Sequence, residues 1–235
     1  EILIGLVGSE MCIRDRTYNT YDSDGDGVYD YLTIASCAQP VTEVEIPAEI
    51  DGVPVTEIQQ YAFGGCNNLK NVIIPDRVVK IGKYAFYDCR SLKEITIPES
   101  VASIDNCAFK NCSVLETVLI KNPECEIYDS ADTIFNNLIF DEETGEDFNS
   151  INGIIYGYEN STAQAYAEKY GYNFKLFVQG DISKNDLIDL YDAIEVVKYI
   201  MKIRTFTETD KQFADFTGND AVDLYDAIEI ARTLI

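Results

Sequence analysis

Between about residues 42 and 116 one pattern returns at a fixed interval: Phe63, Phe86 and Phe109 are 23 residues apart, and so are Cys66, Cys89 and Cys112. A period of this length dictates an architecture, because each unit is too small to bury its own apolar face and must share a core with the next. Val44 and Ile46, Val72 and Ile74, and Ile95 and Ile97 alternate as the inward residues of successive strands. Pro47, Pro75 and Pro98 then stop each strand, since proline has no N–H for a ladder. Stacked units align these residues into ladders of Ile, Val, Phe, Leu and Cys, which predicts a curved solenoid. The first unit carries five additional residues around the turn signal Asp51-Gly52, so its loop bulges. The outward residues Glu45, Ile73, Thr96 and Leu119 are expected to form a mixed, solvent-facing strip.

Residues 74–92 read IPxxVxxIGxxAFxxCxxL. This block resembles the leucine-rich-repeat type found on bacterial surface proteins, and the resemblance covers roughly residues 40–177. It implies an α/β leucine-rich-repeat solenoid of about 23-residue repeats that acts as a protein-binding module. The later part is degenerate. Val118 and Ile120 keep the strand, Ile134-Phe135 keep a core phenylalanine, and Gly157-Tyr158 through Ser161-Thr162-Ala163 to Ala165-Tyr166 looks like the closing cap of the family. A short final strand and a capping helix at about 162–171 are expected.

The repeating cysteines suit such a ladder, since free cysteine is a small, readily buried apolar residue. Cys107 and Cys112 are near enough in sequence to approach across a loop, and Cys37 and Cys125 have no place in the pattern, so one disulfide stays open.

Composition narrows function. A formal charge of −23 repels nucleic-acid phosphates and anionic lipid while inviting hard cations such as calcium. No apolar run reaches the ~20 residues that span a bilayer. Neither nucleic acid nor membrane is therefore an expected partner. The chain has no His and no Trp, which removes imidazole as general base or zinc ligand and the commonest sugar-stacking platform. Ser and Cys have no evident base partner, the acids of residues 17–177 are scattered, and no catalytic residue is assigned.

The opening stretch EILIGLVGSEMCIRDR lacks the basic start and apolar core of a signal peptide. Its VGSEMCIRDR portion resembles translated sequencing-adapter DNA, which implies that residues 1–16 are non-native, that Cys12 carries no meaning, and that native N-terminal sequence is missing.

A second, sharper period of 34 residues relates 181–202 to 215–235: Asp189-Leu190-Tyr191-Asp192-Ala193-Ile194-Glu195 returns unchanged as Asp223-Leu224-Tyr225-Asp226-Ala227-Ile228-Glu229. Calcium takes six to eight oxygens, which an EF-hand-type loop supplies from positions 1, 3, 5, 7, 9 and 12. Counting from Asp181 gives Asp181, Ser183, Asn185, the Leu187 carbonyl, Asp189 and Asp192. Counting from Asp215 gives Asp215, Thr217, Asn219, the Ala221 carbonyl, Asp223 and Asp226. Each loop runs into a helix whose apolar stripe is Leu190, Ala193, Ile194, Val197 and Met201, or Leu224, Ala227, Ile228, Ala231 and Ile235, with no entering helix expected. Solvated acidic turns are the plainer reading of the loops alone, but the repetition includes the apolar face.

Twin loop-helix motifs led by Gly180-Asp181 and closing on Asp resemble the type I dockerins of cellulosome-forming anaerobes, over about residues 178–235. The resemblance implies a small all-α module that binds two calcium ions and docks on a cohesin of an extracellular scaffoldin, within an assembly for polysaccharide degradation. It implies an extracellular, secreted or scaffold-attached location. It also assigns cohesin recognition to Leu190 and Tyr191, Leu224 and Tyr225, with Lys198 and Arg232 at equivalent sites. Because the two halves present the same pair, docking in either of two orientations related by about a half turn is expected. Packing between the two helices is the alternative reading for Leu190 and Leu224. The loops depart from the family at position 3, which is Ser or Thr, and at position 6, which is Asp186 or Asp220 rather than Gly. Fewer carboxylates per loop imply weaker calcium binding.

A third candidate calcium loop comprises Asp22, Asp24, Asp26 and Asp30 with Gly27, but its position 12 is Thr33; an Asp-Gly turn feeding a strand explains it equally well. The expected function is a non-catalytic extracellular protein held by its dockerin to a scaffoldin. Its leucine-rich repeats would bind another protein, either as a surface adhesin or beside a catalytic domain missing upstream.

Overall fold

The computed structural model describes residues 16–24, 26–37, 41–135, 138–140, 147–149, 153–185 and 187–234. The chain forms two compact units, one running to Phe174 and the other from Lys175.

The first unit is a stack of coils. A hairpin of β1 (Arg16–Tyr21) and β2 (Tyr31–Cys37) begins it. Then come β3 (Glu43–Glu45), β4 (Glu49–Ile50), β5 (Val53–Ile58), β6 (Asn71–Ile73), β7 (Lys80–Ile81), β8 (Glu94–Ile97), β9 (Ser103–Ile104), β10 (Thr117–Ile120) and β11 (Glu126–Ile127). A small antiparallel pair, β12 (Leu138–Phe140) and β13 (Asp147–Asn149), precedes β14 (Ile154–Gly157), helix α1 (Thr162–Tyr170) and β15 (Asn173–Leu176).

Each 23-residue coil places one strand on each of two sides. On the first, β3 pairs with β6, and β8, β10, β14 and β15 follow in one sheet. On the second, β2, β5, β7, β9 and β11 lie side by side in parallel. The register puts like on like: Val44 on Val72, Ile95 on Val118 on Ile155, and Ile58 on Ile81 on Ile104 on Ile127. The predicted inward residues Val44, Ile46, Val72, Ile74, Ile95 and Ile97 are all buried. Val118, Ile120, Ile134 and Phe135 are also buried, so the degenerate coils keep their core.

The third side is a turn rather than a strand, yet it is hydrogen-bonded from coil to coil. The amides of Phe63, Phe86 and Phe109 donate to the carbonyls of Ala85, Ala108 and Thr133 at 2.7, 2.8 and 3.0 Å. The three phenylalanine rings stack with centroids 5.0 and 5.2 Å apart and planes within 3° of parallel. Gly82 marks where one coil meets the next most closely, for a Cβ there would lie 2.8 Å from the Gln60 nitrogen and 2.9 Å from the Ile58 oxygen.

The cysteine ladder does more than fill space. The Cys89 and Cys112 thiols donate to the carbonyls of Phe63 and Phe86 in the preceding coil, at 3.2 and 3.1 Å. Burial pushes the Cys125 thiol up to about 12, with Glu126 adding to the effect. None of Cys66, Cys89, Cys107, Cys112 and Cys125 is in a disulfide. The Cys107 sulfur faces Asn106 Oδ1 at 3.0 Å, and no bridge joins it to Cys112. Cys12 and the side chain of Cys37 lie outside the described residues, as does the segment 1–15.

Helix α1 closes the stack over nearly the expected residues. Ser161 caps its start by accepting the Gln164 N–H, and Gly171 ends it in the left-handed region. Its Thr162 amide and hydroxyl reach the Pro123 and Cys125 carbonyls, and Tyr166 donates to the Ser130 carbonyl at 2.8 Å. The expected outward strip needs one correction. Glu45 and Ile73 are exposed, but Leu119 is fully buried. Registered partners in a parallel ladder carry their side chains abreast, so Leu119 sits between Thr96 and the buried Tyr156 rather than in water.

The second unit contains helices α2 (Leu190–Ile200), α3 (Glu208–Ala214) and α4 (Leu224–Arg232) around Phe177, Ile182, Val196, Phe213 and Ile230. Among the described residues no helix is long and apolar enough to cross a membrane.

Candidate metal loops and docking face

The two C-terminal loops are organised by their own aspartates. In the first, Asp181 Oδ1 accepts the Asn185 N–H at 3.1 Å and the Ser183 hydroxyl at 3.2 Å, and Asn185 Oδ1 accepts the Leu187 N–H at 2.9 Å. In the second, Asp215 accepts the N–H groups of Gly218, Asn219 and Asp220 at 2.8–3.0 Å, and Asn219 Oδ1 accepts the Ala221 N–H at 2.9 Å. Asp220 takes the left-handed turn that glycine would take, at φ 63°. Asp186, its counterpart, lies outside the described residues.

Position 12 closes each loop. Asp192 Oδ1 accepts the Ser183 N–H at 2.9 Å, and Asp226 Oδ1 accepts the Thr217 N–H and hydroxyl, both at 3.0 Å. The other carboxylate oxygen of each takes the N–H of Asp189 or Asp223 at 2.8 Å, while Asp189 and Asp223 accept the Tyr191 and Tyr225 amides. These reciprocal bonds are capping boxes, which is why α2 and α4 start where they do. In the first loop Ser183 links position 1 to position 12, in the second Asn219 bonds position 1 and Thr217 bonds position 12, and in both position 9 turns its carboxylate to the helix start. Gly180 ahead of the first loop cannot be replaced without movement, since a Cβ would stand 2.7 Å from the Phe216 ring.

The donor set suits a hard cation. Asp192 and Asp226 are fully buried, and among the described residues neither has a Lys or Arg within ion-pair distance. Carboxylates buried without a cation are costly, and oxygen-only side chains on a tight loop are what calcium takes.

One expectation about this unit is revised. The second loop does have an entering helix: α3 carries its own capping box, Thr207 with Asp210, and ends directly on Asp215. The apolar stripe of α2 and α4 is divided between interior and surface. Ala193, Val196, Ala227 and Ile230 face inward, whereas Leu190, Ile194, Met201, Leu224 and Ile228 are exposed; Ile235 lies outside the described residues. A module this small has too little interior to cover both sides of its helices. Leu190, Ile194, Leu224 and Ile228, together with Lys198, line an apolar groove of about 330 Å³ between α2 and α4. Leu190 and Tyr191 are 60% and 52% exposed, and Leu224 and Tyr225 are both 58% exposed. Arg232 pairs with Glu229 at the position equivalent to Lys198.

The N-terminal acidic turn uses the same local bonds. Asp22 Oδ2 accepts the Gly27 N–H at 2.9 Å, as Asp215 accepts that of Asp220, and Asp26 accepts the Val28 N–H at 2.8 Å. The hydroxyl and N–H of Ser23 hold the Asp30 carboxyl below its ordinary range. Asp22, Asp24 and Asp30 bring carboxylate oxygens within 4.8 Å of one another, the one such trio among the described residues. Thr33 is not part of it: it is buried in β2, where its hydroxyl accepts from Gln59 at 2.5 Å, because the chain leaves this loop as a strand.

Family comparison separates the same two parts. Residues 35–152 match the BspA type leucine rich repeat region in six copies, and residues 179–235 match the dockerin type I domain. No curated protein matches the chain. Among solved structures, the chain is similar to a T. pallidum leucine rich repeat protein at 20% identity and TM-score 0.39, covering 68% of this chain and 95% of that one. It is similar to a leucine rich cell surface protein of Faecalibacterium prausnitzii at 20% identity and TM-score 0.34, over 67% and 46% of the two chains. A Bacteroides ovatus leucine-rich repeat protein aligns at 15% identity and TM-score 0.28, over 72% and 68%.

Proposed function

Because this chain belongs to the BspA type leucine-rich-repeat family and carries a type I dockerin domain, we propose that it is a non-catalytic extracellular protein held to a cohesin-bearing scaffoldin, its repeats binding another protein. Type I dockerins bind calcium and cohesins, and neither domain type is catalytic. The observation that carries the reading is the pairing of buried carboxylates, held by loop N–H groups, with an exposed Leu-Tyr pair near the end of each loop.

Two calcium ions would sit in the C-terminal loops. Asp181, Ser183, Asn185, the Leu187 carbonyl, Asp189 and Asp192 would hold one, and Asp215, Thr217, Asn219, the Ala221 carbonyl, Asp223 and Asp226 the other. Each ion would fix the start of the following helix and so the stance of Leu190 and Tyr191, or Leu224 and Tyr225. Those residues, with Lys198 and Arg232, form the cohesin face; aromatic and aliphatic anchors of this kind dominate binding energy when desolvated. Asp22, Asp24, Asp26 and Asp30 would take a third ion, with Asp30 closing the loop in place of a position-12 carboxylate.

Calorimetric titration of the chain with a panel of type I cohesins tests the reading. Calcium-dependent binding in the nanomolar range, abolished by chelator, is expected. Absence of binding to every cohesin, with calcium present and the C-terminal unit folded, would reduce that unit to a calcium-stabilised structural module.

A further inference from the structure

The two halves of the docking face are identical in sequence over seven residues but not in structure. After α2 the chain turns at Lys202, which is left-handed, and the amides of Ile203 and Arg204 return to the Lys198 carbonyl. This brings Arg204 back onto Glu195, which is also bound by Lys198 at 2.7 Å. The Glu195 side chain is 2% exposed, whereas its counterpart Glu229 is 28% exposed and pairs with Arg232. Lys198 therefore has a fixed stance, its ammonium 5.3 Å over the ring of Tyr191. Arg232 is 64% exposed, and among the described residues no cation stands over the Tyr225 ring.

We infer that the two docking orientations are unequal, and that the one presenting α2 as the main contact is preferred. This rests on the cohesin-docking reading above. Two physical differences act in the same direction. Around the α2 pair the buried Glu195 is outnumbered by Lys198 and Arg204, leaving one positive charge in excess, while Glu229 and Arg232 cancel. The loop aspartates contribute equally to both halves and do not restore the balance. Tyr191 and Lys198 also hold each other, so less side-chain freedom is lost when a partner covers them. An acidic group on the cohesin facing this end of the groove would meet a localised cation in a protein of net charge −23, which adds specificity as well as affinity.

The test compares three variants of the full chain, in calcium, against a cohesin that binds the unaltered protein: L190A/Y191A, L224A/Y225A, and all four changes together. With two equal orientations, losing either one lowers affinity only about twofold. With the bias inferred here, L190A/Y191A weakens binding about tenfold or more, L224A/Y225A less than about twofold, and the quadruple variant abolishes it. Arg204→Ala, outside the duplicated segment, should narrow the gap between the two pairs. Equal losses from both pairs, or a larger loss from the α4 pair, would overturn the inference and leave the docking face in place. An unaffected quadruple variant would overturn the docking reading as well. All four residues are more than half exposed, and calcium-dependent circular dichroism of each variant verifies the fold.

Discussion

Asp192 and Asp226 each close a loop with one oxygen and start a helix with the other, and this double use explains why the spacing of acids announced both features at once. Glu195 is a different kind of buried acid. Burial alone would raise its carboxyl, but Lys198 and Arg204 outweigh that and hold it below the usual glutamate range. A depressed native value stabilises the fold above the unfolded value near pH ~4.3 and loses that contribution as pH falls through the native value. Glu195→Gln should therefore cost about 1–3 kcal/mol at neutral pH, and its difference from wild type in urea denaturation should shrink as the pH is lowered below ~4. Residue type and spacing disclosed the hydrogen-bonded turns of the two loops because each aspartate acts within its own segment. They did not disclose the Cys89 and Cys112 thiols as donors, since the acceptor belongs to another coil and a period carries no hydrogen-bond direction.

At the scale of elements, periodicity located the inward faces of the strands well, because every coil buries the same positions. Phe86 lies between Phe63 and Phe109 with a ring on either side. Phe86→Ala should cost about 3–5 kcal/mol in a denaturant titration, because the empty rung also removes the stacking partner of both neighbours. Phe86→Leu should cost clearly less. Helix α3 was missed although Thr207 and Asp210 carry a capping-box signal; seven residues are too few to show an amphipathic repeat. The stripe of α2 and α4 is apolar as expected, but among its described residues only Ala193 and Ala227 are buried. A helical period reports which side is apolar, but whether anything lies against it depends on how much interior the whole unit has. Leu119 errs the opposite way: alternation placed it outward, and the neighbouring strand's Tyr156 shields it.

At the scale of the molecule, 41 acidic against 18 basic side chains leave a net self-repulsion, part of which calcium bound among the acids would relieve. Removing calcium with a chelator should lower the unfolding transition of residues 175–235 in calorimetry, by an amount that follows free calcium; saturation at 100 times Kd is worth about 2.7 kcal/mol per site. The combination D192N/D226N should make that transition insensitive to chelator. The two halves of the molecule were separable in sequence because their periods differ, 23 residues in one and 34 in the other. The 5.0 and 5.2 Å steps between phenylalanine rings are also the pitch of a lattice with one translation. An in-frame duplication of 23 codons within the regular coils slides the core phenylalanine, its amide and the thiol onto existing counterparts, so the reach of this stack can change in whole steps of about one strand spacing while its core contacts are kept. Such a stack is a ruler that genetic drift can lengthen or shorten one graduation at a time.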